Sequence, residues 1–261
     1  MSQLVMTAHV YKKDFDPTGW WVSEKWDGYR AVWNGNTFLS RTGKVFNAPE
    51  WFKQKMPKNI NLDGELWIGR GKYEQCGLFR KKIPNDEEWK ELKVRYNVFD
   101  TLSHLSEPFE KRMNLLKKYV EETDEKVLVF TPQTKVTSRD EVDFFYNDVI
   151  SKGGEGVMLR KPGSMYAFKR SKTLLKYKVS LDTECKIVGY KEGTGKYSGM
   201  LGSFKCVLLE DESISFYVSG MSDAIRENYE ETHPVGTVIT ITYNEKTKNG
   251  IPRHPRYLRI K

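Results

Sequence analysis

Cysteine and histidine are scarce in this chain of 261 residues, and each shortage excludes a kind of chemistry. Cys76, Cys185 and Cys206 are odd in number and widely spaced, so neither a disulfide framework nor zinc-ligand spacing can be drawn from them. They read as thiols of a reducing compartment. His9, His104, His233 and His254 form no cluster, which leaves a transition-metal centre without ligands. No apolar run approaches the ~20 residues of a membrane helix. Residues 1–7 lack the basic start and long apolar stretch of a secretion signal, so the expected location is cytoplasmic. Internal repeats and low-complexity tails are also missing. Positive charge is not: 43 Lys and Arg against 35 Asp and Glu leave a net charge of +8, which favours a polyanionic partner through counterion release. That charge is dispersed, with denser stretches at Lys169-Arg170-Ser171-Lys172 and at the C-terminus.

Five short motifs follow one another along the chain: Lys25-Trp26-Asp27-Gly28, Asp63-Gly64-Glu65-Leu66, Val98-Phe99-Asp100, Glu155-Gly156-Val157-Met158-Leu159 and Leu175-Lys176-Tyr177-Lys178. Alone, Lys25 reads as a solvated surface lysine. The ordered set changes that reading, because each motif supplies a different part of one phosphate-handling site. A neutral amine attacks phosphorus and an ammonium does not; an ordinary lysine titrates near ~10.4, and neighbouring cations or desolvation activate it. Lys25 comes at the end of an apolar strand and just before Gly28, which permits a tight turn. Lys176 and Lys178 stand two apart on a strand, so both point to one face and bring positive charge.

Periodicity divides the chain in two. Residues 20–25 and 60–68 read as strands, and residues 29–33 and 37–41 as a hairpin about Asn34-Gly35-Asn36. Phe109, Met113, Leu116 and Val120 place a helix over 108–122. Ser138 and Glu141 form a capping-box pattern ahead of Val142, Phe145 and Val149, a second helix that Gly153-Gly154 ends. Residues 156–160 resume as a strand. Beyond residue 180, strands at 184–190, 202–209, 214–218 and 237–243 dominate, with one short helix over 223–229. This is an α+β domain over 1–181 followed by an all-β OB-fold barrel over 182–261. Residues 73–89, with Arg80, Lys81 and Lys82, read as a basic loop.

With these motifs the sequence resembles the covalent nucleotidyltransferase superfamily, and within it the minimal ATP-dependent DNA ligases of bacteria and viruses. The resemblance covers almost the whole chain and implies an ATP-grasp-like nucleotidyltransferase domain joined to an OB domain. It implies that Lys25 carries AMP through a phosphoramide bond. Glu24, Arg30, Glu65, Phe99, Lys176 and Lys178 would hold the nucleotide: Glu65 at the ribose, Phe99 stacked on adenine, the two lysines at the α-phosphate. Glu155 and Asp27 would serve magnesium or manganese, for which carboxylates are hard oxygen ligands. Arg41, in Ser40-Arg41-Thr42, and Arg170 resemble contacts to the 5′-phosphate of a nick, and arginine's planar fork suits a phosphate. Residues 193–203 resemble the start of ligase OB domains and lack the full Walker pattern, so a P-loop is rejected. Arg253, Arg259 and Lys261 resemble the basic residues that orient the leaving pyrophosphate. The N-terminal DNA-binding domain of larger ligases is not expected here, and residues 210–215 are too few for the long insertion of some viral ligases.

The implied reaction is ATP-dependent sealing of nicked duplex DNA by a monomer. An RNA ligase or GTP-using capping enzyme keeps the chemistry and changes the substrate. A non-catalytic OB-type nucleic-acid binder is the reading that the intact motif set disfavours.

Overall fold

The computed structural model describes residues 4–123 and 125–261. Residues 1–3, part of the stretch read for a leader, lie outside it. The chain divides into two compact units, Met1–Lys178 and Val179–Lys261. The strands of the first are Thr7–Val10 (β1), Trp21–Glu24 (β2), Tyr29–Trp33 (β3), Phe38–Ser40 (β4), Val45–Phe46 (β5), Leu62–Trp67 (β6), Arg95–Thr101 (β7), Leu128–Phe130 (β8), Thr134–Lys135 (β9), Gly156–Arg160 (β10) and Arg170–Lys178 (β11). Those of the second are Leu181–Glu192 (β12), Leu201–Leu208 (β13), Ser215–Val218 (β14), Val238–Tyr243 (β15) and Arg256–Ile260 (β16).

The first unit holds a five-stranded sheet, β1-β11-β10-β2-β9, and a six-stranded sheet, β5-β4-β3-β6-β7-β8. Each is mixed: β1 with β11 and β7 with β8 run parallel, and the other pairs antiparallel. The six-stranded sheet builds the larger core, with Ala31, Trp33, Phe38, Leu62, Leu66 and Tyr96 packed on Phe52, Trp89, Phe109 and Leu116 from helices. Fully burying one such aromatic or aliphatic side chain contributes about 1.5–3 kcal/mol. The five-stranded sheet packs Val22, Val157, Leu159 and Leu175 against Val142 and Val149 of the Arg139–Ser151 helix. Ser138 caps that helix, its hydroxyl accepting from Glu141 N at 3.3 Å. The Glu141 carboxylate returns to Thr137 N at 2.7 Å, one residue earlier than in the expected box.

Two differences from the sequence reading concern what is buried. The Phe109–Thr123 helix buries Phe109, Arg112, Met113 and Leu116. Arg112 sits in that apolar stripe because Asp100 faces it at 2.8 Å and the carbonyls of Glu107 and Ser164 accept its remaining donors. The stretch expected as a basic loop is instead a 3-10 helix, Tyr73–Arg80, followed by an α-helix, Asp86–Glu91. Cys76, Leu78, Phe79 and Trp89 bury themselves in the core, the Arg80 guanidinium lies over the Tyr29 ring and Lys81 pairs with Glu88.

In the second unit the sheet order is β14-β13-β12-β15-β16, antiparallel throughout. Cys185, Ile187, Phe204, Cys206, Ile239 and Ile241 fill its core. The two edge strands meet at one parallel bridge, Ser219 to Arg256, rather than along a full ladder. The expected helix over 223–229 is two short pieces, Asp223–Glu227 and Tyr229–Thr232. No helix among the described residues is long and apolar enough to cross a membrane.

Candidate active site

Register places the motifs together. Lys25 N donates to Gly156 O at 2.8 Å, just beyond the pairing of β2 with β10. Across β10, Met158 faces Lys176 and Gly156 faces Lys178 on β11, while Ser23 of β2 faces Met158. Side chains two apart share a face of a sheet, so Ser23, Lys25, Met158, Lys176 and Lys178 belong to one face. The six-stranded sheet brings Arg30 (β3), Glu65 (β6) and Phe99 (β7). An open cavity is lined by residues of both sheets, including Glu24, Lys25, Trp26, Arg30, Glu65, Phe99 and Met158.

The motif glycines are required by close approach. A Cβ at Gly28 would lie 2.2 Å from the carbonyl oxygen of Leu66. Gly28 sits at the bend ahead of β3 without a positive φ, and it lets β3 start flush against β6. Gly156 combines both demands, with φ at 147° and a virtual Cβ 2.2 Å from Tyr177 O.

The Lys25 amine donates to Glu155, and the second carboxylate oxygen of Glu155 lies 3.7 Å from Lys178 Nζ. Burial holds Lys178 below the ordinary lysine range; the charge of Glu155 opposes this, and those of Lys25 and Lys176 add to it. Asp27 acts electrostatically on Lys178, so it belongs to the same neighbourhood. Glu65 accepts from Gly28 N at 3.2 Å. Desolvation pushes its carboxyl up to about 8, with Lys25 and Arg30 pulling down and Glu155 pushing further up. Arg30 holds Asp63 with two bonds of 2.6 Å each and lies 4.8 Å from the Phe99 ring centroid. Burial works most strongly against the charge of Arg30, but the charge and hydrogen bonding of Asp63, with Tyr166 and Glu65 adding to them, together raise the guanidinium above its usual range. Glu24 is engaged by Arg70 in a bidentate pair at 2.8 and 2.6 Å. Among the described residues no group of three or more His, Cys, Asp or Glu is placed to hold a metal ion.

Arg41 and Arg170 do not line the cavity. Arg41 lies in the tight turn closed by Ser40 N to Lys44 O, and its carbonyl accepts from Leu4 N at 3.3 Å. Arg170 opposes Thr7 at the start of β11. Residues 4–7 therefore run past both exposed arginines. The three C-terminal cations are spread out. Arg253 pairs with Glu245 in the loop after β15, Arg259 opposes Thr240, and Lys261 pairs with Glu184 at 2.6 Å. Arg253 O accepts from Asn244 N, just past β15, and four residues along from Thr240 is roughly 14 Å.

Several residues at the site act on partners that their place in the sequence does not announce. Asp63 and Asp100 lie within motifs but act on arginines. Trp26 is fixed by Nε1 donating to Thr131 Oγ1 at 2.9 Å. Arg160, buried beside the cavity, reaches Asp100 at 3.2 Å. The partners lie from 12 residues away, for Asp100 and Arg112, to 105, for Trp26 and Thr131, and only the fold joins them.

A lysine paired to a carboxylate, flanked by cations and opening on a cavity with an aromatic and an acidic wall, on a two-sheet domain followed by an OB-like one, is the layout of a nucleotidyltransferase. Comparison with known proteins narrows this. Residues 2–178 match the model of the ATP dependent DNA ligase domain and residues 192–261 that of the DNA ligase OB-like domain. A DNA ligase of Haemophilus influenzae is 32% identical over 258 residues, covering 98% of this chain and 92% of the relative. A DNA ligase of Archaeoglobus fulgidus is 30% identical over 89% of this chain, which spans only 44% of that protein. A solved structure from a study of Lig E DNA ligases and DNA binding with a minimal scaffold superposes with a TM-score of 0.85 at 32% identity, covering 98% of both chains. The Chlorella virus DNA ligase-adenylate, at 22% identity and TM-score 0.56, shares the fold. The chain belongs to the ATP-dependent DNA ligase family.

Proposed function

We propose that the protein seals breaks with a 5′-phosphate and a 3′-hydroxyl in duplex DNA through an AMP adduct on Lys25. The observation that carries this is the Lys25 amine held by Glu155 at a cavity lined by Arg30, Glu65 and Phe99. In the first step Lys25 Nζ bonds to the α-phosphorus of ATP, the bond to the β-phosphate bridging oxygen breaks, and pyrophosphate leaves. Glu155 is the acceptor to which the amine already donates, which orients it and receives its proton. Lys176 and Lys178 offset negative charge at the α-phosphate, Glu65 accepts from a ribose hydroxyl, and Phe99 offers a ring face to adenine. In the second step a 5′-phosphate oxygen takes AMP from Lys25. In the third the 3′-hydroxyl attacks that phosphorus and AMP leaves.

A divalent cation such as Mg²⁺ or Mn²⁺ would offset phosphate charge. Glu155, with Asp27 nearby, is the carboxylate on this chain suited to it, and few protein carboxylates with several phosphate oxygens is a usual magnesium arrangement. Arg41 and Arg170, brought near one N-terminal segment, serve the 5′-phosphate of the break, and Arg253, Arg259 or Lys261 the pyrophosphate. The experiment is incubation with α-labelled ATP followed by nicked duplex DNA. Label passing from protein to DNA, then sealed strands and free AMP, is expected. An adduct formed with GTP instead, or transfer to RNA ends alone, would replace this reading.

A further inference from the structure

Four groups close a hydrogen-bonded ring at the floor of the site. Arg30 makes two bonds of 2.6 Å to Asp63, and the Tyr166 hydroxyl donates to Asp63 Oδ2 at 2.6 Å. Met6 N donates to that same hydroxyl at 2.9 Å, and the Met6 carbonyl accepts from Arg30 Nη2 at 3.1 Å. Met6 and Asp63 are fully buried and Tyr166 nearly so. Arg30 and Asp63 belong to β3 and β6 of the six-stranded sheet. Met6 leads into β1, and Tyr166 lies between β10 and β11, in the chain that builds the five-stranded sheet. The ring therefore ties the two sheets whose residues line the cavity, and it leaves the Arg30 guanidinium over the face of Phe99. Tyr166 lines no part of that cavity. The Tyr166 phenol is held as a protonated donor, first by burial and then by the neighbouring Asp63 charge.

From this ring we infer that Tyr166 is a positioning residue for nucleotide binding: its hydroxyl fixes the Asp63 carboxylate, which sets the orientation of Arg30 and the spacing of the cavity walls. The inference rests on the proposed adenylation of Lys25. Tyr166 touches neither Lys25 nor Glu155 among its hydrogen bonds, so its loss loosens ground-state binding more than the reacting atoms. Such a loss raises KM and spares kcat.

The test is adduct formation as a function of ATP concentration in the full chain, for wild type, Tyr166→Phe, Arg30→Lys and the double variant. Tyr166→Phe removes both buried hydrogen bonds of the hydroxyl, the one donated to Asp63 and the one accepted from Met6 N, and should raise KM for ATP roughly three- to tenfold, with the rate at saturating ATP within about twofold of wild type. In the Arg30→Lys background, where the bidentate pair is gone, the same change should move KM less than about twofold, because both act through one contact. Asp63→Asn, run alongside, should raise KM more than Tyr166→Phe does, and it decides the matter if Tyr166→Phe does not fold. An unchanged KM in Tyr166→Phe, a fall in the saturating rate with KM unmoved, or effects of Tyr166→Phe and Arg30→Lys that multiply independently would overturn the role. Failure of wild type to form any adduct would instead overturn the proposed function, and this role with it.

Discussion

Glu65 carries a carboxyl raised to about 8 beside an arginine and a lysine, because losing water outweighs both cations. A carboxyl raised on folding adds stability below its unfolded value near 4.5, and that contribution is lost as pH rises through about 8. Glu65→Gln keeps the shape without the titration. Its melting temperature minus that of wild type should therefore rise between pH 5 and pH 9, by more than about 4 °C, since one kcal/mol moves a chain of this size by about 2–4 °C. A difference that stays flat with pH would contradict the burial assigned to Glu65. Glu155→Ala should leave the fold intact and slow both adduct formation and sealing of pre-adenylated nicks by about 100-fold or more, the scale for losing a positioned acid–base group. Rates within a few-fold of wild type in both assays would remove Glu155 from the chemistry. Lys25, Glu65, Phe99, Glu155, Lys176 and Lys178 were legible as candidates because each lies in a short motif with its own chemistry, and Arg30 only through the family resemblance. Asp63, Arg70, Tyr166 and Arg160 were not, since their meaning lies in partners 33 to 103 positions away for Asp63, Arg70 and Tyr166.

The strands and helices with regular alternation or a 3.6-residue stripe were readable, and most ends fell within a few residues: 29–33 is β3 as expected, and the helix over 108–122 is Phe109–Thr123. Short elements such as Val45–Phe46 or Thr134–Lys135 were not, because two residues carry no period and exist only through their neighbours. The basic stretch 73–89 misled for a related reason: its lysines and arginines hid Cys76, Phe79 and Trp89, which do the packing. Gly28 marks where β3 meets β6. Gly28→Ala places a methyl 2.2 Å from Leu66 O and should lower stability by about 1–3 kcal/mol, the usual range for overpacking, and weaken ATP binding with it. A chemical-denaturation midpoint equal to that of wild type would show that the ladder yields. Arg41, in the turn between β4 and β5 and outside the cavity, should behave differently. Arg41→Ala should leave adduct formation within about twofold and slow nick sealing about 10- to 100-fold, as expected for one charge-assisted phosphate contact. Equal losses in both assays would contradict that division.

The two compact units divide the proposed work, with covalent chemistry in the first and phosphate-orienting cations in the second. The change from mixed patterning to short strands near residue 180 lies beside the boundary between the compact units Met1–Lys178 and Val179–Lys261, and an all-β run with small turns has few other solutions. The spread of Arg253, Arg259 and Lys261 over the end of the second unit was not readable, since a basic tail looks alike whether its cations converge or not. The proposed chemistry depends on one covalent bond, between Lys25 Nζ and AMP. The most direct measurement is mass spectrometry of peptides from protein incubated with ATP and Mg²⁺, followed by a chase with nicked duplex DNA. The account predicts an added AMP on Lys25, absent from Lys25→Ala, and its disappearance as nicks are sealed. An adduct on another residue, or sealing by Lys25→Ala at the wild-type rate, would contradict it.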